Sequence, residues 1–423
     1  MRLWLIPMIY IVVSIACGLT LPRLEHYYLP TFTHDMSVTT AQAFLSASGS
    51  GMLVLAGIIF SIAMVMVQFS AIAYSPRLVA WFGNDPTMFH SLGIFFATFT
   101  YSMSTLAWVD RGGDGKVPLL SGLLVLVLLV LSLLLFSRLV QRLTDLQIIN
   151  VLSLIGNRGR QVIGKTFKFG GGKPDPTYRA PSSLELARLG PPLQTLTYSG
   201  EPRAIAEFDI DFLVQEARRT DGLIVMACGV GDTVVENTPL LSVHGTTQQL
   251  SVKALIQAVR LAPARTFKQD PKYPIRLLVD IAIKALSPAI NDPTTAVQAI
   301  DQIEDLLHRL ARCDLDSGYV RDADGVLRLM FPMPTWDDYL TLAFDEIRQY
   351  GVGSLQVVRR LRAALNAIAD SVADEDRRES VRQHLRHLDE VIGHSSHDVE
   401  DRVVALQEDR QGLGLSRKPA RSH

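Results

Sequence analysis

Three groups of residues have types and spacing that could support chemistry. The first, Gly159-Arg-Gln-Val-Ile-Gly164-Lys165-Thr166, matches the phosphate-binding P-loop pattern letter for letter. A working P-loop needs a strand before its glycines and a helix that starts at its lysine, so that backbone N–H groups surround the phosphates. Here Lys165-Thr166 leads into Phe167-Lys168-Phe169 and three glycines, a sequence that cannot sustain that helix. The expectation is an accidental match.

The second group lies between residues 265 and 292. Arg265, Lys268, Lys272 and Arg276 surround Asp270-Pro271 and Tyr273-Pro274. Asp280 and Lys284 follow at i,i+4 spacing on a helix with a broad apolar side. Ser287-Pro288 ends that helix. Asn291-Asp292-Pro293 starts another, with Asp292 as cap and Pro293 at the first helical position. Two readings stay open. One is a tight, capped helix–loop–helix. The other is a binding site for an anionic ligand or lipid headgroup, using Arg265, Lys268, Arg276, Asp280, Lys284, Asn291 and Asp292.

The third group is His384, His387, His394 and His397, with Asp389 and Glu390 nearby. The first two share a helix face, but Gly393 interrupts the helix, and no metal is expected. Cys17, Cys228 and Cys313 are too few and too scattered for a zinc cluster or a disulfide framework. No catalytic residue and no cofactor are assigned.

The elements that must carry these groups are of two kinds. The 423 residues are 48% hydrophobic and 20% charged, with 41 basic and 42 acidic side chains and a net charge of −1. That balance gives no reason to expect nucleic acid as a partner. The two kinds of residue are segregated along the chain. Apolar runs at 3–21, 51–73, 91–109 and 118–136 each approach the roughly 20 residues that cross a bilayer core. Ser14-Ile15-Ala16-Cys17 approaches a lipoprotein cleavage site, but with Arg2 alone before it and further apolar runs behind it, the first run reads as a span.

The basic residues past the fourth run, Arg138, Arg142, Arg158, Arg160, Lys165, Lys168, Lys173 and Arg179, predict a cytoplasmic location for that end. Four spans then return the N-terminus to the same side and make 24–50 an external loop. The expected location is the bacterial inner (cytoplasmic) membrane. No acidic or basic residue lies inside the runs, which weakens a proton-coupled transporter. Among the polar residues there, Gln68, Thr98, Thr100, Tyr101 and Ser102 stand out, with Ser61, Ser70 and Ser104 nearby. They either make interhelical hydrogen bonds or line a pore, and Gly49, Gly51 and Gly57 favour close helix contact in both cases.

After the spans, 138–155 has helical periodicity and reads as a continuation of the fourth span. Glycine and proline then mark a linker. Short strands are predicted at 195–198, 204–208 and 222–227, with a helix at 209–219. Residues 229–243 resemble the phrasing of a small barrel-sandwich hairpin without its modified lysine. Helix returns at 248–261, a hairpin is expected at 319–331, and four helices follow. The expected division is a membrane domain at 1–140, an amphipathic helix and linker at 141–192, a β-rich subdomain at 193–245, a mostly helical domain at 246–410 and a disordered tail at 411–423. The fold class is thus an α-helical membrane domain of about four transmembrane helices, followed by a mixed α+β cytoplasmic domain with a small β sandwich or barrel and a C-terminal helical bundle.

Residues 60–77, Phe95 to Tyr101, Asp280-Ile-Ala-Ile-Lys-Ala-Leu-Ser-Pro-Ala-Ile-Asn-Asp-Pro-Thr-Thr-Ala-Val-Gln-Ala299 and Ala343-Phe-Asp-Glu-Ile-Arg-Gln-Tyr-Gly351 resemble the bacterial membrane family designated domain of unknown function 2254. The resemblance covers nearly the whole chain and implies a bacterial inner-membrane protein, without an established activity. Three functions are weighed. The leading one is a non-enzymatic homo-oligomer in the lipid bilayer, channel-like or sensory, with a cytoplasmic gating or scaffold domain. The second is a membrane-anchored enzyme or anionic-ligand-binding regulator that uses the 265–292 cluster, and the third is a transporter.

Overall fold

The computed structural model describes residues 4–28, 37–73, 86–111, 117–144, 147–167, 181–182, 185, 190–315, 318–394 and 398–414, with side chains excepted at 66–67, 69–73 and 142–144. The chain forms two compact units, Met1–Gln147 and Ile148–His423. The expected linker around 170–180 and the segment 74–85 between the second and third apolar runs lie outside the described residues.

The first unit contains the helices α1 (Leu5–Tyr28), α2 (Val38–Ala73), α3 (Pro86–Leu106) and α4 (Leu119–Thr144). Among the described residues, three segments are long and apolar enough to cross a membrane: Leu5–Tyr28, Val38–Val65 and Leu119–Gln141. The third expected span is a helix too, but it is the polar one, and α1, α2 and α4 pack around it. Its Ser91, Thr98, Ser102 and Thr105 are buried, while the neighbours turn Val12, Val54, Leu123 and Leu134 outward. This is the partition that lipid imposes: polar groups go between helices and apolar groups face the hydrocarbon.

The expected boundaries change in three places. α1 continues past Leu21 and carries Pro22, Arg23 and Glu25. α2 begins at Val38, so much of the expected external loop is helix. Gly51 and Gly57 face open space, whereas a Cβ at Gly18 would stand 2.6 Å from Ser104 and one at Gly93 2.6 Å from the Tyr10 ring. Close approach is therefore made by different glycines from those expected, Gly49 excepted.

The second unit opens with α5 (Ile148–Thr166), a helix separate from α4 rather than its continuation. The strands β1 (Gln194–Thr197), β2 (Arg203–Phe208), β3 (Leu223–Met226), β4 (Thr233–Val234), β5 (Pro239–His244) and β6 (Val259–Ala262) follow, with α6 (Ile210–Arg219) and α7 (Val252–Ala258) between them. The helix expected over 248–261 is thus short and gives way to a strand. β7 (Tyr319–Arg321) and β8 (Leu327–Met330) form the expected hairpin. β8 pairs in parallel with β3, so the hairpin completes a five-stranded sheet of order β1-β5-β3-β8-β7, and β4-β2-β6 makes a second sheet. The β-rich layer therefore does not end at 245. Ile205, Phe208, Leu213, Ile224 and Val243 fill its core.

The helical layer consists of α8 (Lys272–Ala285), α9 (Pro293–Leu310), α10 (Trp336–Gly351), α11 (Leu355–Ser371), α12 (Glu375–Gly393) and α13 (Val399–Ala405). Apolar residues on every side of α8, including Ile275, Leu278 and Ile281, bury it among α5, α9 and α10. The first residues of the expected disordered tail are ordered: Asp409 accepts backbone N–H bonds from Gln411, Gly412 and Gly414, and Arg359 donates to the Gly414 carbonyl at 3.0 Å. Residues 415–423 lie outside the described residues.

Candidate functional site

Helix α5 is amphipathic, and its two faces do different work. Val151, Leu152, Ile155, Val162 and Ile163 are buried, while Arg158, Gln161 and Lys165 point away from that core. Gly159 lies against α8 and α9: a Cβ there would stand 2.7 Å from Leu306 Cδ2 and 3.2 Å from Pro274 Cβ. Arg160 anchors the contact by donating to Asp305 at 2.6 Å, and Arg309 reaches the same oxygen at 3.2 Å. Burial pushes the Asp305 carboxyl up, but hydrogen bonds from the two guanidiniums bring it below its ordinary range. The P-loop-like string is therefore a helix that ends at Lys165-Thr166. Its glycine serves packing, and no ring of free N–H groups faces a ligand.

The outer face of α5 forms one wall of a cleft of about 630 Å³. The opposite wall is the loop before α8 together with the end of β2. Gln269 fixes that loop: its side chain accepts from the Phe208 N–H at 2.9 Å and donates to the Phe208 carbonyl at 3.0 Å, in the manner of a strand partner. Lys268 is thereby held beside Glu207 at 3.3 Å, and Arg260 approaches the same carboxylate oxygen at 3.2 Å. Val230, Phe267, Phe331 and Met333 supply an apolar surface.

Arg158, Lys165 and Lys268 thus face the cleft with Glu207 as its acid, and Glu207 is shared between two cations. Neither Arg158 nor Lys165 is held in an ion pair among the described residues. The Thr166 hydroxyl, also at the cleft, is buried without a hydrogen-bond partner there. The C-terminal end of α5 opposes an anion by about 0.3–1 kcal/mol. One charge-assisted hydrogen bond, at about 1.5–3 kcal/mol, exceeds that cost.

The residues expected between 265 and 292 are distributed rather than gathered. Arg265 reaches Asp270 at 3.9 Å. Lys268 faces the cleft. Arg276 donates to Asp280 at 2.7 Å and, in a bidentate pair, to Glu346 on α10 at 2.6 and 2.8 Å. Hydrogen bonding by Arg276 holds the Glu346 carboxyl below its usual range. Two carboxylates already occupy that guanidinium, so it locks α8 to α10. Lys284 sits in the last turn of α8. Asn291 adopts a left-handed φ of 48°, and Asp292 caps α9 by accepting from the Thr295 N–H at 3.1 Å.

In the membrane unit, Thr98 and Ser132 share a hydrogen bond at 3.1 Å, and Ser14 bonds Thr100. Tyr101 and Ser102 are buried inside the helix bundle, and Gln68 is exposed on α2. The five polar residues therefore do not share one surface of this unit. Among the described residues no group of three or more metal-ligating side chains gathers. His384 lies 3.5 Å from Asp345, and His397 is outside the described residues.

The family model described as "Predicted membrane protein (DUF2254)" matches residues 1–367, which include the membrane helices, the cleft and the Asp280–Ala299 stretch. The chain belongs to this family. Among its relatives are the uncharacterized proteins Mb1321c of Mycobacterium bovis and Rv1290c of Mycobacterium tuberculosis, each 25% identical over 419 residues, covering 95% of this chain and 78% of the relative. No solved structure matches the chain. Glu346 falls inside the family-like stretch Ala343–Gly351, a signal that could have marked it. Arg158 and Lys165 stood in the sequence as topology-setting charges, and nothing there linked them to Glu207 or Lys268.

Proposed function

We propose that this membrane protein is a non-enzymatic sensor of the bacterial inner membrane, with both termini cytoplasmic, working as a homo-oligomer. Its second unit receives a signal at the α5 cleft and biases the membrane helices. The observation that carries this reading is the double position of α5. Its outer face is a cleft wall, and only 145–147 separate it in sequence from α4, a membrane-crossing candidate. Such a connection can span no more than about 14 Å, and it is the proposed route from the cleft to α4. Thr98 and Thr100 of α3 support a sensor over a channel, since their hydroxyls bond to Ser132 and Ser14 on neighbouring helices of a single chain.

The test is hydrogen–deuterium exchange of the full chain in lipid nanodiscs. Lys165→Glu, which inverts a charge on the cleft, should alter exchange at the cytoplasmic end of α4. Two glycines inserted after Gln147 should abolish the response. An α4 indifferent to the cleft charge would remove the sensor reading. Light scattering that returns a strict monomer would remove the homo-oligomer.

A further inference from the structure

We propose that the α5 cleft binds a small phosphate monoester attached to an apolar body, which is the ligand class that the sensor reading leaves open and that rests on it. Three cationic side chains from two separate stretches, Arg158 and Lys165 on α5 and Lys268 before α8, line one cavity. The carboxylate there, Glu207, is already engaged by Lys268 and Arg260. The surplus of positive charge matches a dianionic group better than a single carboxylate. A guanidinium and two ammoniums are the donors that phosphate oxygens accept. The Thr166 hydroxyl, buried and without a partner among the described residues, adds a neutral donor.

Phosphate alone would leave most of the cavity unfilled. The volume of about 630 Å³ lies in the range of sites for whole organic ligands. Beyond the cations, Phe267, Phe331, Met333 and Val230 present a surface that rewards an apolar or aromatic body. Such a body joined to a phosphate monoester occurs in free nucleotides and in phosphatidic acid headgroups carrying their first acyl carbons. Both place the same phosphate between Arg158 and Lys165.

Binding is measured on the full chain in phosphatidylcholine nanodiscs by calorimetry. The probes are AMP, adenosine, inorganic pyrophosphate, and the soluble short-chain lipids dihexanoyl phosphatidic acid and dihexanoyl phosphatidylcholine. Saturable binding of AMP alone identifies a free phosphate ester, and of phosphatidic acid alone a lipid headgroup. Either supports the proposal, as does binding of both, provided that adenosine and the phosphatidylcholine do not compete. The double variant Arg158→Gln/Lys165→Gln, altered only at exposed side chains, should keep its melting temperature and lose affinity by about tenfold or more. Lys253→Gln, at an exposed position of α7, should leave affinity unchanged. Binding of pyrophosphate alone, equal affinity in the double variant, or no binding of any probe would overturn the proposal. Exchange at α4 tests the sensor reading separately, so binding without an α4 response would remove the coupling and keep the ligand.

Discussion

Glu25, close to the C-terminal end of α1, caps α4 through Ser121, accepting its backbone N–H at 3.0 Å and its hydroxyl at 2.8 Å. The second carboxylate oxygen takes the Leu120 N–H at 2.7 Å. The first N–H groups of a helix have no partner inside it, and an anion placed there also meets the positive end of the helix dipole. A charged residue is thus buried at 5% exposure because the start of another helix needs it.

Replacing that carboxylate should be costly. Whichever way its amide turns, Glu25→Gln presents an N–H₂ to a backbone N–H, and should lower stability by about 1.5–3 kcal/mol, the scale of charge-assisted hydrogen bonds. Thermal melting in detergent measures the loss. In the Glu25→Gln background, Ser121→Ala should cost less than it does alone, since the shared bond is already gone. Unchanged melting in the single variant would mean that the cap contributes nothing.

The Arg276 lock makes a different prediction. Glu346→Gln keeps the shape but removes one of the two carboxylates around a largely buried guanidinium. Glu346 is itself 43% exposed, so water screens part of the loss. The expected cost is about 1 kcal/mol, against about 3 kcal/mol for Arg276→Gln, which removes the guanidinium from both carboxylates at once. Chemical denaturation of the full chain should rank the two in that order.

Acid should weaken the second unit through the same kind of pair. Arg276 holds Glu346 below the ordinary carboxylate range, and Asp305 is lowered as well, its burial overcome by Arg160 and Arg309. A lowered folded pKa adds stability that is present above the unfolded value, about 4, and is lost as pH falls through the folded value. Asp270 opposes them. Burial raises its carboxyl, partly offset by Arg265, so its ionisation costs stability as pH rises from about 4. Asp270→Asn should therefore melt higher than the parent at pH 7, with the difference closing at pH 4 and below. A constant difference across that range would contradict the assignment to ionisation.

Gly159 distinguishes packing from phosphate binding. Alanine would gain about 0.5–1 kcal/mol from helix propensity, yet its Cβ meets Leu306 and Pro274 too closely. Overpacking costs about 1–3 kcal/mol, so Gly159→Ala should be net destabilising. It should leave affinity for the cleft probes within about twofold once folded, because Gly159 faces away from the cleft. Titration calorimetry alongside melting would show both.

Much of the fold was legible from local pattern. Apolar length marked the helices of the first unit, turn residues marked β1 to β3, and Asp292-Pro293 marked the start of α9, because each signal is written in consecutive residues. The hairpin at 319–331 was visible as a hairpin but not as a sheet partner of β3, since parallel pairing across that distance leaves no local trace. The cleft was harder still. Lys268 was singled out among neighbours in sequence, yet it turns toward Arg158 and Lys165 because Gln269 ties the loop to Phe208.

By itself, then, the sequence determined that this is a membrane protein of the DUF2254 family with an apolar helical part and a charged α+β part. Hydrophobic length and helix-start chemistry act over a few residues and need no partner. Tertiary structure alone decided that the polar α3 sits inside its bundle, that Glu25 serves α4, and that Arg276 is spent on Glu346. It also decided that the glycine of a P-loop-like string packs against Leu306. Each of these depends on burial and charge pairing between distant segments, and those energies exist only once the chain has brought the segments together.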